Sequence, residues 1–239
     1  MSEDSSSATP EHLPDAARTA PAPAPAMSAS SVRVSAVATG RGDDGTTGLL
    51  FGGDRIPKDD LRTEAYGTLD ETVAALGLAR AELDLKRRLD TMPPALVQIE
   101  TTVLRIQREL FVAGAELAAN PAAWDRLRDG ATKVSAEMVA GIDAILADYE
   151  GRIEFPTEFV VPGESRTSAA LELARTILRR AERRAVTLGR AGLVPGEHLL
   201  PYLNRLADLL WVLARAAEQA EARTATAVRT DGPQSGGAG

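Results

Sequence analysis

Apolar residues recur at intervals of three and four along five segments of the chain, a pattern typical of amphipathic helices. The segments cover residues 59–85, 94–119, 135–151, 165–188 and 196–223. Proline-containing dipeptides separate them, and strand-like alternation is scarce. The pattern therefore predicts an all-α fold, a five-helix bundle.

The two ends of the chain lack large apolar side chains. Residues 1–32 are mainly Ser, Ala and Pro, and the last stretch, RTDGPQSGGAG, has the same character. Such segments bury too little apolar surface to offset the entropy of the chain. We therefore expect disordered tails over residues 1–32 and 225–239, and one domain over residues 33–224.

One segment inside the domain departs from helical periodicity. Residues 38–60, ATGRGDDGTTGLLFGGDRIPKDD, hold six glycines. Backbone without side chains, with Thr hydroxyls and Lys58 nearby, suits the close approach of a phosphate chain. No Walker A pattern is present, and composition alone fits a mobile surface loop equally well.

The fourth helix carries five arginines in twelve residues, LARTILRRAERR. At 100° per residue, one arc of this helix is apolar and faces the core. The residues of that arc are Leu171, Leu173, Ala174, Ile177, Leu178, Ala181 and Ala185.

A charged stripe formed by Arg175, Arg179 and Glu182 follows the edge of this apolar arc, whereas Arg180, Arg183 and Arg184 point elsewhere, towards solvent. The first two arginines lie one turn apart and can reach one polyanion, and Glu182 can hold the rotamer of Arg179. Periodicity leaves two interpretations open: a triphosphate or intersubunit site, or a helix–helix salt bridge without a ligand.

The fifth helix places Leu203, Leu206, Leu210 and Leu213 on a core seam. Asn204 and Asp208 are four residues apart on a neighbouring face. An Asn at the edge of a core usually forms a specific hydrogen bond, which could be a contact inside the bundle or a contact to a ligand.

Composition excludes several kinds of function. The 239 residues include no Cys, which excludes disulfides, thiolate metal sites and Cys nucleophiles, and only two His, too few for a histidine metal cage. A net charge of -7 with 4% aromatic residues is not typical of nucleic-acid binding. The chain has neither a secretory signal pattern nor an apolar run of the ~18 residues that a membrane helix needs. We expect a cytoplasmic protein with no nucleic-acid or membrane partner.

Three long segments together resemble the PduO-type ATP:cob(I)alamin adenosyltransferases in order and in spacing. They are TGRGDDGTTGLLFGGDRIPKDDLRTEAYGTLDE, FVVPGESRTSAALELARTILRRAERR and YLNRLADLLWVLAR. A fourth segment, IQRELFVAGAELA, is similar to the second helix of that family. The resemblance covers residues 37–216.

The resemblance implies a five-helix bundle that assembles as a homotrimer with active sites between neighbouring subunits. ATP with Mg²⁺ would bind in the glycine-rich loop. The enzyme would transfer the 5′-deoxyadenosyl group of ATP to the cobalt of cob(I)alamin, giving adenosylcobalamin and triphosphate. Further implied partners are a reductase that supplies cob(I)alamin from cob(II)alamin and an adenosylcobalamin-dependent mutase.

The resemblance also implies roles for individual residues. Asp70 would pair across the interface with Arg175, and Arg179 would contact the triphosphate; these three form the catalytic set. Glu182 and Asn204 match nucleotide-site positions. The remaining nucleotide-binding positions match Thr39, Gly42, Asp43, Gly45, Thr46, Thr47 and Lys58.

Two residues are implied on the corrinoid side. Phe159 would lie beneath the corrin ring and exclude the lower axial ligand, and Asp208 would lie near the corrinoid. The metal ligands stay unassigned.

The chain departs from the family pattern at several positions. Gly40 and Arg41 replace a basic residue and a hydroxyl residue in the loop, Val73 replaces an Asn, Glu164 replaces a Gly and Glu172 replaces a His. These departures motivate an alternative function, a non-catalytic trimeric carrier or sensor of corrinoid or nucleotide.

Overall fold

The computed structural model describes residues 38–229. Residues 38–40 belong to an N-terminal unit, and they are exposed and have no regular secondary structure. The second unit begins at Arg41 and contains the helices and strands given below. The tail that we predicted over residues 1–32 lies outside the described residues.

Five α-helices carry the fold, as the apolar periodicity predicts. A short 3₁₀ helix, Pro121–Arg126, lies between the second and third of them. In the described part of the chain, no helix has the length and apolarity needed to cross a membrane. The five helices are α1 (Leu61–Arg88), α2 (Pro94–Ala118), α3 (Ala136–Glu150), α4 (Arg166–Arg190) and α5 (Leu199–Ala220).

Short polar side chains fix the first residues of three helices. Asp60 caps α1 by accepting from the Arg62 backbone N–H, and Ser135 caps α3. Ser165 and Ser168 form a reciprocal capping box at the start of α4. Caps of this kind satisfy backbone donors that a helix leaves unpaired, and each contributes about 1 kcal/mol.

The core lies between the five helices, all of which contribute buried apolar residues. Helix α1 packs against α4 and α2, while α5 packs against α4 and α3. The buried face of α4 is rich in alanine, which lets neighbouring helices approach closely. The leucine seam predicted on α5 is fully buried. The prediction that Leu173 faces the core is wrong: the residue is 47% exposed, because it lies about 200° around the helix from Leu171.

We had expected Arg180 and Arg184 of α4 to point to solvent, but both side chains join α4 to α1. Arg180 pairs with Glu71, and Arg184 contacts both Glu64 and Thr68. These groups are partly exposed, so each pair contributes at most about 1 kcal/mol. Burial of the apolar faces, rather than these ion pairs, therefore dominates the stability of the α1–α4 contact.

Two short antiparallel strand pairs complete the fold. Strand β1 (Thr46–Thr47) pairs with β2 (Ile56–Pro57), and β3 (Val160–Val161) pairs with β4 (Thr226–Ala227). The second pair corrects the prediction of a disordered tail from residue 225, because residues 225–229 are described and include a strand. The backbone hydrogen bonds to β3, which composition does not reveal, order this segment.

Candidate functional site

The glycine-rich segment folds into a hairpin that precedes α1. The Lys58 backbone N–H donates to the Gly45 carbonyl at 2.9 Å, which closes the hairpin. Gly45 has a φ of 79°, a conformation that favours glycine. A Cβ added to Gly42 would come within 2.9 Å of Lys58 Nζ, so the lysine ammonium lies directly against this glycine.

The hairpin therefore brings together most of the residues predicted to bind a nucleotide. Gly42, Gly45, Thr46, Thr47 and Lys58 lie on its two arms. Asp43 is exposed on the first arm. Thr39 belongs to the N-terminal unit and is exposed there.

Arg55 organises the hairpin, and sequence reasoning missed it. Its guanidinium donates to the Thr46 hydroxyl at 2.6 Å, to the Thr46 carbonyl at 2.8 Å and to the Arg41 carbonyl at 2.7 Å. Asp44 accepts from both the backbone and the hydroxyl of Thr46, and these hydrogen bonds hold the pKa of Asp44 below its usual value. The hairpin thus presents an ordered row of backbone and hydroxyl groups.

The end of α2 anchors the hairpin. The Leu50 backbone N–H donates to the Ala118 carbonyl at 2.8 Å, and the Asn120 N–H donates back to the Leu50 carbonyl at 3.0 Å. Nearby, the carboxylate of Glu116 is 1% exposed and accepts from the backbone N–H groups of Val134 and Gly196. Burial raises the pKa of Glu116, against the opposing effect of these two hydrogen bonds.

The charged stripe of α4 is resolved into separate contacts. The Arg175 guanidinium is held by Glu172 at 2.6 Å, whereas Arg179 is exposed and has no ion-pair partner within residues 38–229. The carboxylate of Glu182 accepts a hydrogen bond from the Asn204 amide at 3.3 Å. We had expected Glu182 to hold Arg179, and within residues 38–229 it does not. Arg179 is therefore available to an external anion.

Asp70 and Asp208 are both exposed, on α1 and α5 respectively. The structure does not pair Asp70 with Arg175 within the described chain, since Arg175 pairs with its own helix. Asp208 follows Asn204 by one turn of α5, on the exposed side of the helix.

Phe159 lies at the rim of a cavity of about 470 Å³. Its side chain is 89% exposed, an unusual position for a phenyl ring unless a ligand or partner covers it. Arg175, Glu172 and Trp211 also line this cavity, so a predicted corrinoid residue and a predicted catalytic arginine share one space. The ring of Trp211 stacks on Phe155 at a centroid distance of 5.7 Å.

A larger cavity of about 830 Å³ adjoins the first, and both are lined by residues of the segment 156–160. Helix α5 contributes Arg215 and Glu218 to its wall, and strand β4 contributes Ala227. No pattern in the sequence pointed to this cavity, since its wall combines residues 154–160 with residues 215–229, two parts that are distant along the chain.

A buried charge network connects the two cavities. Glu172 bonds Arg175 through one oxygen and pairs with Arg215 at 3.3 Å through the other. Arg215 also pairs with Glu218 at 2.9 Å, and Arg215 and Glu218 are each 1% exposed. Burial raises the pKa of Glu218, and the positive charge of Arg215 opposes that rise. Glu172, noted from the sequence only as a departure, is thus a central member of the network.

The family model for cobalamin adenosyltransferases matches residues 37–217 of the chain. The chain is 37% identical over 185 residues to a corrinoid adenosyltransferase of Citrobacter freundii, covering 76% of this chain and 94% of that protein. It is 39% identical over 188 residues to a cobalamin adenosyltransferase of Cupriavidus metallidurans, covering 79% and 91%.

Solved structures show the same similarity. A single-residue variant of the PduO-type ATP:corrinoid adenosyltransferase from Lactobacillus reuteri, complexed with cobalamin and ATP, aligns with a TM-score of 0.69 and 27% identity. The alignment covers 81% of this chain and 97% of that one. Another variant of that enzyme, complexed with ATP, aligns with a TM-score of 0.67 and 26% identity over 80% of this chain and 99% of that one.

We predict that Arg55→Ala loosens the hairpin without unfolding the bundle. Three hydrogen bonds of about 0.5–1.5 kcal/mol each are lost, so exchange of the Lys58 amide hydrogen should accelerate at least about tenfold. The free energy of global unfolding should fall by a comparable amount, about 1.5 kcal/mol, because these hydrogen bonds are absent from the unfolded chain as well as from the opened hairpin, and the bundle should stay folded. Hydrogen exchange and denaturant unfolding measure the two quantities.

Arg41→Ala is the matched control for this prediction. Its side chain is exposed, and the contact that Arg55 makes is to its backbone carbonyl, which the substitution keeps. Equal exchange rates at Lys58 in the two variants would contradict the role given to Arg55.

Proposed function

Because this chain belongs to the cobalamin adenosyltransferase family, we propose that it transfers the 5′-deoxyadenosyl group of ATP to the cobalt of cob(I)alamin. A bond forms between cobalt and C5′, the C5′–O bond breaks, and triphosphate leaves with the electron pair. The products are adenosylcobalamin and triphosphate. The observation that carries this proposal is that the family match over residues 37–217 includes both the hairpin and the arginines of α4.

The reaction requires the protein to position the substrates and to stabilise charge, and it does not require a protein nucleophile. Cob(I)alamin is itself a strong nucleophile, so a chain with no Cys and two His is compatible with the chemistry. What remains is to hold C5′ in line with cobalt and to neutralise the triphosphate as it leaves.

The hairpin and Arg179 suit these two tasks. Lys58 lies against Gly42, where a cation and bare backbone can meet a phosphate chain together. Arg179 is exposed and unpaired within the described chain, so no internal carboxylate competes with a triphosphate for its guanidinium. Glu182 and Asn204, which bond to each other, would line the same nucleotide site.

We propose that Mg²⁺ enters with ATP. Mg²⁺ in sites of this kind is bound mainly by substrate phosphates and water, with few protein ligands. Residues 38–229 contain no group of three or more His, Asp or Glu side chains that could hold a metal. The bound ion would neutralise part of the triphosphate charge beside Arg179.

Phe159 would act on the lower face of the corrin ring. Its ring extends from the segment that separates the two cavities, and it is free to pack against a large planar ligand. An apolar ring at that position would exclude a lower axial ligand from cobalt. Loss of that ligand makes reduction of cob(II)alamin to cob(I)alamin easier.

The active protein would be a homotrimer with each site shared between two subunits. Leu78 of α1, Phe111 of α2 and Leu173 of α4 are 47% to 65% exposed, and these three helices pack side by side. A subunit interface would cover such side chains. It would also allow the exposed Asp70 of one subunit to meet Arg175 of the next. A reductase and an adenosylcobalamin-dependent mutase are the partners that the reaction would require before and after it.

The experiment that tests the function is an anaerobic absorbance spectrum of the protein with MgATP and chemically reduced cob(I)alamin. Conversion to the spectrum of adenosylcobalamin would support the proposal. A spectral shift on binding with no alkylcobalamin formed would overturn it and support the carrier or sensor function instead.

We predict that Arg179→Ala lowers kcat about 10²–10³-fold, because a preorganised charge on the leaving triphosphate is lost. Oligomer mass, measured by analytical ultracentrifugation, should not change. Arg183→Ala is the control, since Arg183 is exposed on the same helix and its side chain, within residues 38–229, bonds only to the Arg179 carbonyl, at 3.1 Å. Loss of activity in both variants, or in neither, would contradict the role of Arg179.

We predict that Phe159→Ala slows the reaction when it starts from cob(II)alamin with an external reductant, and much less when it starts from cob(I)alamin. The difference arises because the phenyl ring assists the reduction and not the transfer. Stability should change by less than about 0.5 kcal/mol, since the ring is exposed. Parallel rate measurements from both oxidation states, with Val161→Ala as control, check this; equal slowing from both would argue against the role.

A further inference from the structure

The larger cavity has polar groups in its wall that the protein itself leaves unsatisfied. Among the described residues, Nε and Nη1 of Arg215 and Oε2 of Glu218 have no hydrogen-bond partner. Both side chains are 1% exposed and both line this cavity of about 830 Å³. Buried polar groups are almost always paired, so an unpaired cluster in a cavity wall indicates a ligand.

The remaining neighbours do not satisfy these atoms. Glu172 and Glu218 both pair with Arg215 through the same atom, Nη2 of Arg215. Ser168 is near enough to lower the pKa of Glu218, but its hydroxyl donates to the Ser165 carbonyl at 3.1 Å. The wall therefore offers two free donors next to one free acceptor.

The two donors of Arg215 and the acceptor of Glu218 determine which chemical group can bind there. A phosphate or carboxylate would satisfy Arg215, but it would lie beside the unpaired carboxylate oxygen of Glu218; elsewhere in the wall, Arg223 and Arg229 balance Glu154 and Glu158. An ammonium would satisfy Glu218 and be repelled by Arg215. A primary carboxamide satisfies both sides, since its carbonyl accepts and its NH₂ donates.

A corrinoid carries carboxamide side chains around its ring. The larger cavity shares Pro156, Thr157, Glu158 and Val160 with the cavity that holds Phe159, so a ligand above Phe159 can extend a side chain into it. Resting on the proposed function, we infer that the larger cavity is a subsite for a corrinoid carboxamide, with Arg215 donating to the carbonyl oxygen and Glu218 accepting from the amide nitrogen. The subsite makes the enzyme specific for amidated corrinoids.

Two corrinoids test this directly in the unmodified protein. Cobinamide and cobyrinic acid both lack the lower nucleotide, and they differ at the periphery, where the first has amides and the second has carboxylates. We compare two quantities for these corrinoids. The dissociation constants of the Co(II) forms come from anaerobic absorbance titration with MgATP present, and the kcat/KM values are measured with the Co(I) forms. We expect cobinamide to be preferred at least about tenfold in both, because a site built to pair with an amide rejects an analogue that leaves its groups unpaired.

Glu218→Gln should reduce that preference about tenfold. It removes the repulsion of a substrate carboxylate and supplies a donor to it, while KM for ATP stays within about twofold. Glu221→Gln is the matched control: it is the same substitution three residues later on the chain, at a carboxylate that pairs with Lys86 at 3.1 Å and does not line the cavity. The control should keep the preference of the unmodified protein.

The outcomes separate the subsite from the function. Adenosylation of cobinamide and cobyrinic acid with equal kcat/KM, or an unchanged preference in Glu218→Gln, would overturn the subsite while the proposed function stands. A binding preference that Glu218→Gln removes, without any alkylation, would overturn the function while the subsite stands. Failure of the unmodified protein to bind either corrinoid would overturn both.

Discussion

The burial of the Arg215 guanidinium is the constraint around which the binding end of the bundle is arranged. A buried unpaired charge is very unfavourable, and removing one partner of a buried pair typically costs about 3–5 kcal/mol. Glu172 and Glu218 must therefore stay close to Arg215. Glu172 in turn fixes Arg175 at the edge of the smaller cavity. One buried cation thus sets the positions of side chains that face both cavities.

In the described chain, the polar groups of the hairpin and those of α4 are held by different elements. The hairpin is fastened to the end of α2, and three arginines of α4 are held by groups on α4 and α1. Of the arginines concentrated on α4, Arg180 and Arg184 connect helices, and Arg179 has no ion-pair partner among residues 38–229. This division explains the local excess of positive charge in an acidic chain. Some of it has a structural role, and the remainder is the cation that we propose for the triphosphate.

Local signals in the sequence were sufficient for the helices and for part of the site. The spacing of apolar residues and the proline-containing dipeptides act within a few residues, so they predicted five helices with ends close to the observed ones. The glycine-rich loop was recognised in the same way, and its residues from Gly42 to Lys58 lie in one hairpin. Arg55 could not be found, because its partners lie 9 and 14 residues away and the hairpin strands are too short to alternate.

Arg215 and Glu218 were missed for a different reason. A charged pair three residues apart near the end of a helix is typical of a solvated surface. Here every residue from Leu213 to Glu218 is buried, because α5 is covered on several sides and by the segment 154–158. Glu172 was noticed only as a departure from the family pattern, since its partner on α5, Arg215, is distant in sequence. Tertiary contacts determined these environments, and periodicity on one helix carries no information about them.

Strand β4 allows the larger cavity to change without a change in the helices. It supplies part of the cavity wall, both of its residues are exposed, and it pairs with β3 over only two residue pairs. Opening of so short a strand pair disrupts few buried contacts, so it requires much less free energy than global unfolding. One wall of the larger cavity can therefore detach and return while the five helices stay packed.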